Sequence, residues 1–301
     1  MKRLLHDIVR ERRLVCDGAM GTQLMLVGLD AGGCGEYWNL IRPERVVEIH
    51  RRYVEAGADC IITNTFGANR VVLRRHGYGE KVREINSGGV RLARTAASGR
   101  ETYILGGVGP LGAILQPYGD LPVEEARNAF DEQCSALVEA GVDAIIIETQ
   151  TSLEELGIAI QAAKSAWAKC IIASLAFDLS ANKEFFVTMM GVLPEAAAEF
   201  IQGNGAHIVG LNCGTGIDMA AVASIVQTYR KHTSLPTMGQ PNAGLPVLDG
   251  GRAVYKQSPK DMASGVLKAL EAGTNIIGSC CGSTPEHTRA IREVVDMYNR
   301  G

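Results

Sequence analysis

The chain has 301 residues, 46% of them hydrophobic and 21% charged, and carries a net charge of −3. That is material for one large core, in a chain longer than the ~250 residues typical of a closed eight-fold α/β barrel. The acidic balance excludes the basic face of a nucleic-acid binder, and no apolar run reaches the ~18 residues of a membrane span.

The first thirteen residues are basic but lack the continuous apolar stretch of a secretory signal, so a cytoplasmic location is expected. Leu4, Leu5, Ile8 and Val9 fall at helical spacing and predict a short amphipathic helix under the bottom of a barrel. Apolar runs then predict strands over 14–17, 60–65, 103–108, 144–149, 171–177, 208–213, 237–241 and 275–281. Helical patterns lie between them, as at Val123, Ala126, Phe130, Cys134, Leu137 and Val138. Ser152 with Glu155 and Ser283 with Glu286 fit capping boxes, and Pro259 and Pro285 suit first helical turns. Alternation of this kind means a parallel sheet with both faces covered. Eight units favour an α/β fold of the (β/α)8 TIM-barrel type over an open doubly wound sheet, in a single domain spanning 1–301.

An internal repeat strengthens the barrel reading. Gly57-Ala58-Asp59-Cys60-Ile61-Ile62, Gly141-Val142-Asp143-Ala144-Ile145-Ile146 and Gly273-Thr274-Asn275-Ile276-Ile277 share one pattern, with Gly205-Ala206-His207-Ile208-Val209 a looser copy. Each glycine caps a helix before the chain enters a strand. Seven residues beyond each glycine stand Asn64, Glu148, Asn212 and Cys280. On alternate strands these form one layer at the C-terminal mouth, where barrel enzymes place their chemistry.

Eight cysteines in a chain without a signal segment do not read as a disulfide framework. Cys16, Cys60, Cys134 and Cys170 lie within apolar segments and read as small buried hydrophobes, and Cys34 as a loop thiol. Cys213 and the adjacent pair Cys280-Cys281 stand instead at two strand ends, able to converge on one metal ion. Thiolate-rich sites select soft or borderline metals, and three protein ligands leave zinc an open fourth position. A zinc with three anionic sulfurs is a poor Lewis acid for carbonyls. It can still hold an incoming thiol as thiolate, whereas a free thiol is only a few per cent ionised at neutral pH. The pattern points to alkylation of a thiol.

Asp17-Gly18-Ala19-Met20-Gly21-Thr22 follows the first strand. Its glycines let backbone N–H groups face an anion while Asp17 receives an ammonium. Glu148 is a second carboxylate at the same mouth, so a zwitterionic amino acid would find both kinds of partner. Gly107-Val108-Gly109-Pro110-Leu111-Gly112 matches a dinucleotide fingerprint, but Pro110 interrupts it and the next helix begins only near Pro122.

Together these residues resemble the homocysteine S-methyltransferase family, which includes the homocysteine module of cobalamin-dependent methionine synthase and betaine-dependent enzymes. The resemblance runs through 17–22, Asn64-Thr65-Phe66-Gly67-Ala68-Asn69, Gly109-Pro110, Glu148-Thr149, Asn212-Cys213, Pro241-Asn242-Ala243-Gly244-Leu245-Pro246 and Cys280-Cys281-Gly282. It implies zinc on Cys213, Cys280 and Cys281, joined by the homocysteine thiolate. It also implies the substrate amine on Asp17 and Glu148, with Gly18, Asn64 and Asn212 lining the substrate site. Ser279, where a glycine usually precedes the cysteine pair, and Gly214-Thr215-Gly216 after Asn-Cys depart from the family pattern. Segment 111–121 looks most like the methionine-synthase branch, in which folate and cobalamin domains follow. The chain ends at Gly301 without them. The expected donor is therefore a corrinoid protein or a missing cobalamin domain. The alternatives are a small donor, S-methylmethionine or betaine, and a zinc- or redox-sensing barrel without catalysis.

Overall fold

The structure, a computed structural model, describes residues 2–249 and 252–301. Eight parallel strands are laid down in chain order: β1 (Leu14–Val15), β2 (Cys60–Ile62), β3 (Tyr103–Val108), β4 (Ala144–Gln150), β5 (Ile171–Leu175), β6 (Ile208–Asn212), β7 (Thr237–Gln240) and β8 (Ile276–Ile277). Each pairs with the next, and β8 returns to β1 through Leu14↔Ile276 and Val15↔Ile277. The ring closes between β1 and β2 through parallel backbone pairing of Cys16 with Cys60 and the bonds Asp59 N→Val15 O and Asp17 N→Cys60 O. The fold is the (β/α)8 barrel expected from the alternation.

Strand alternation sorts the core into two shells. Leu14, Cys16, Cys60, Leu105, Ile146, Ile172, Ile208, Met238 and Ile276 point inward, and Leu5 and Val9 of the N-terminal helix (Leu5–Glu11) close the bottom. Outward-facing Val15, Ile61, Ile104, Ile145, Ile171 and Val209 pack beneath the surrounding helices. Cys16, Cys60, Cys134 and Cys170 are fully buried, in accord with their reading as hydrophobes. The rejected fingerprint is followed by the helix Val123–Glu139, with Pro122 at its N-cap.

The repeat has a mechanical explanation. Gly57, Gly141, Gly205 and Gly273 take φ of 99°, 91°, 81° and 109°, the left-handed turn that releases each helix into its strand. Two residues later a side chain accepts the backbone N–H of the neighbouring odd-numbered strand. Val15 N donates to Asp59 (2.8 Å), Ile104 N to Asp143 (2.8 Å), Ile171 N to His207 Nδ1 (3.1 Å) and Thr237 N to Asn275 (2.9 Å). The repeated polar residue thus satisfies a backbone donor that the sheet ladder leaves over.

One local expectation is corrected. The last helix is capped by Thr284 with His287, not by Ser283 with Glu286. Ser283 instead accepts from Ala19 N and donates to Cys280 O, one residue too early to cap. The glycine-rich segment 244–251 runs into an antiparallel hairpin, Pro246–Asp249 with Arg252–Tyr255; Gly250 and Gly251 lie outside the described residues.

Candidate active site

Two more residues along the inward-facing register, the wall turns from apolar to reactive at the C-terminal mouth. Cys213 stands just beyond β6 with φ 60°, a left-handed setting that a non-glycine residue rarely adopts. Gly214 continues the turn at φ 80°, and a Cβ there would collide with the Phe177 carbonyl. Cys280 and Cys281 follow β8, their turn fixed by Cys280 N→Pro241 O (2.7 Å) and Ala243 N→Cys281 O (2.9 Å). The three Sγ atoms lie within 4.8 Å of one another, and Cys213 and Cys281 are 4.0 Å apart. Sulfurs bound at ~2.3 Å around a tetrahedral ion stand about 3.8 Å apart, so the set fits zinc with little movement. Hydrogen bonds from Cys280 and Cys281 push the Cys213 thiol far down, while donating them raises the other two, Cys281 to about 11.

Two residues absent from the expected site complete this corner. Asn242 donates from Nδ2 to Gly214 O (3.0 Å) and lies within reach of Cys213, and its Oδ1 is buried without a partner among the described residues. Tyr255, from the hairpin, reaches Cys281 with its hydroxyl and lays its ring against Gly282, where a Cβ would strike it. Asn242 stood in a motif already recognised, but the Tyr255 contact depends on hairpin packing that no local pattern encodes.

The carboxyl corner lies across the mouth. Asp17 is buried, its oxygens accepting from Ile62 N (2.9 Å) and the Cys16 thiol (3.4 Å). Burial nonetheless raises its pKa to about 7. Glu148 is raised to about 8 by burial, then by the neighbouring Asp17 carboxyl and Cys213. Two carboxyls resisting ionisation beside each other form a site short of one cation. Gly107 on β3 makes the room, because a Cβ there would stand 3.2 Å from Glu148 Oε1 and 2.9 Å from Ile62.

Gly18 is where the two corners touch. A Cβ on it would collide with Ser283 Oγ and stand 3.0 Å from both Ser279 Oγ and the Tyr53 hydroxyl. Tyr53 donates to Ala19 O (3.0 Å), and Gly282 N to Thr22 Oγ1 (3.1 Å), so 17–22 is laced to the cysteine turn. Asn212 and Asn64 work within the wall. Asn212 receives Thr149 N (2.9 Å) and Ser174 Oγ (2.6 Å) and donates to Thr149 Oγ1 (2.7 Å), holding Thr149 at φ 61° beside Glu148. Asn64 donates to Gly35 O (2.8 Å) and Asn39 Oδ1 (3.0 Å), anchoring the loop before the helix Trp38–Ile41.

A (β/α)8 barrel with thiols and carboxyls gathered at its C-terminal mouth has the layout of a barrel enzyme. The family profile described as homocysteine S-methyltransferase matches residues 14–295, and the chain belongs to that family of methyltransferases. It is 33% identical over 309 residues to a methionine synthase of Mycobacterium leprae, covering 99% of this chain and 25% of that protein. A methionine synthase of Mycobacterium tuberculosis is likewise 33% identical over 308 residues, covering 98% and 26%. The chain thus spans about a quarter of these relatives' length. Among solved structures, the metallated form of the Escherichia coli homocysteine methyltransferase MmuM superposes with a TM-score of 0.77 at 23% identity, covering 96% of this chain and 98% of that one. A Clostridium difficile 3-dehydroquinate dehydratase superposes with 0.55 at 11% identity, covering 96% and 93%, which marks the shared barrel alone.

Proposed function

We propose that this barrel methylates the thiol of homocysteine to give methionine, with zinc held by Cys213, Cys280 and Cys281. The observation that carries the reading is three mutually adjacent Sγ atoms facing two carboxyls of raised pKa in one barrel mouth. Zinc in that set would hold the substrate sulfur as thiolate at neutral pH while leaving it nucleophilic. Asp17 and Glu148 take the substrate ammonium, which supplies the cation their corner lacks. Gly18 and the backbone after it take the carboxylate. Asn212 keeps Glu148 in place through Thr149, and Asn64 keeps the loop from Gly35 against β2. Asn242, hydrogen-bonded to Gly214 and within reach of Cys213, would help hold that cysteine in place.

The methyl group comes, in this reading, from a cobalamin carried on a corrinoid protein or on further domains, not from S-methylmethionine or betaine. Support comes from the rim. Tyr118, Met189 and Leu245, on three different strand-to-helix loops, are 78%, 75% and 58% exposed, with Ile114 and Met190 beside them. Exposed apolar side chains on several loops suit the docking of a large partner better than the sealing of a small donor. The test is zinc content, followed by methionine formation from homocysteine with methylcobalamin, a methylated corrinoid protein, S-methylmethionine and betaine supplied separately. Turnover with a small donor alone would overturn the donor; zinc-loaded protein inert with all four would overturn the activity.

A further inference from the structure

At the opposite end of the barrel, beneath the strands, a cavity of about 250 Å³ opens between the N-terminal segment and the helix Met219–His232. Arg10, Arg13 and Arg230 all line it, and no acidic residue does among the described residues. Neighbouring cations are treated otherwise: Arg12 and Arg292 are both held by Asp59, and Arg3 by Glu11. Arg10, Arg13 and Arg230 have no ion-pair partner among the described residues. Arg13 is half-buried, its backbone pinned by Asn299 at both N and O (3.0 Å each) and its guanidinium 5.7 Å from the Tyr298 ring. Its Nε is buried with no hydrogen-bond partner among the described residues, a donor left over inside the fold. Arg230 runs along the cap glycine Gly273, its Cγ and Cδ 3.4 Å from where a Cβ would stand.

Three arginines without acidic partners among the described residues line one cavity, and their charges repel one another unless an anion joins them. Arginine offers a planar fork that matches phosphate oxygens bidentately, and three forks suit a group with several charged oxygens. The volume lies below the ~300–1,000 Å³ of sites that enclose drug-sized ligands, so it suits a small anion such as a phosphoryl group. We propose that this basal cavity binds a phosphoryl group, free or at the end of a small phosphomonoester, through Arg10, Arg13 and Arg230. Occupancy ties the helix that plugs the barrel bottom to the helix Met219–His232, far from the thiols.

The experiment uses the zinc-loaded full chain, titrated calorimetrically and by thermal unfolding with orthophosphate and with a nucleoside monophosphate, at constant ionic strength against chloride. An anion that binds only the folded state raises the unfolding midpoint in proportion to its affinity. Saturable binding and a raised midpoint are expected, with each arginine removed weakening binding about tenfold or more. Arg10→Gln and Arg230→Gln alter exposed side chains, so these variants fold and keep homocysteine binding while losing the phosphate response. Orthophosphate binding as tightly as the nucleotide identifies the free ion; nucleotide binding alone identifies the phosphomonoester. Responses equal to those in chloride, or undiminished in the double variant, would overturn the site, as would binding confined to an acidic polypeptide.

Discussion

Glu148→Gln separates the amine-binding role of the carboxyl corner from zinc chemistry. In the free site Glu148 sits near pKa 8 and Asp17 near 7, so at neutral pH much of the pair is protonated. A bound ammonium requires the ionised form, and forming that form at lower pH takes binding energy. Between pH 6 and pH 8 the ionised fraction of a carboxyl with pKa about 8 rises roughly fifty-fold, so affinity for an ammonium rises with it. Methionine is the appropriate probe, because it presents the amino acid end without a thiol proton. Its affinity for zinc-loaded wild type, measured by calorimetry across that range, is expected to climb about tenfold or more; above it, loss of the ligand's own ammonium reverses the trend. The Gln variant is expected to keep its zinc, to bind methionine about 10- to 100-fold more weakly at pH 8, and to retain only the shallower rise due to Asp17. An unchanged pH profile in the variant, or loss of zinc with affinity intact, would refute the assignment.

Alanine at Cys213, Cys280 or Cys281 is expected to lower zinc content and methyl transfer together; stoichiometric zinc in a Cys280→Ala, Cys281→Ala double variant would end the zinc assignment. Gly282→Ala must accommodate a left-handed residue at φ 79° against the Tyr255 ring. It is expected to destabilise by about 1–3 kcal/mol in denaturant melts and to loosen zinc, which a chelator-release assay reads. His50 is fully buried with both ring nitrogens unpartnered among the described residues, and burial lowers its pKa to about 4. The neutral ring is favoured in the fold, so its contribution holds above about pH 6.5 and is lost as pH falls toward 4, amounting to about 2–3 kcal/mol by pH 4.5. A His50→Met variant should show a correspondingly smaller drop between pH 7 and pH 4.5, and an equal drop in both would exclude His50 as the source.

Much of this was legible in the sequence because the signals were local. Strand ends follow from apolar runs, and counting seven residues from a helix-capping glycine finds Glu148, Asn212 and Cys280 without any coordinates. What escaped depends on register or on contacts across loops. The repeated Asp59, Asp143, His207 and Asn275 were visible, but their partner is a backbone N–H one strand away, which only the pairing reveals. Ser283 looked like a cap because Thr284, one residue later, offers the same hydroxyl, and packing against Ala19 decided between them. The hairpin at 246–255 carried its own signal, two apolar runs around Asp249-Gly250-Gly251, which its glycine content obscured.

The parity of the barrel explains why the chemistry falls where it does. Along the inward register, even-numbered strands supply bulky polar or reactive groups at the mouth, Glu148 from β4, Asn212 from β6 and Cys280 just past β8, and Asp17 joins them from just past the odd-numbered β1. Odd-numbered strands supply small inward residues beside them, Gly107 on β3 and Ser174 on β5. Ser174 gives Asn212 its hydrogen bond, and Gly107 gives Glu148 its space. The same even strands carry, at their lower ends, the side chains that tie down each odd neighbour, so the strands bearing reactive groups are also those that fix the ring. A shift of one even strand by a single residue would break its lower tie, bury the wrong face and withdraw its reactive group at once. Selection for the fold and selection for the site therefore act on the same register. That coupling places three thiols from two strand ends within reach of one ion, while Glu148 from β4 stands close enough to the Asp17 carboxyl for that neighbour to raise its pKa further.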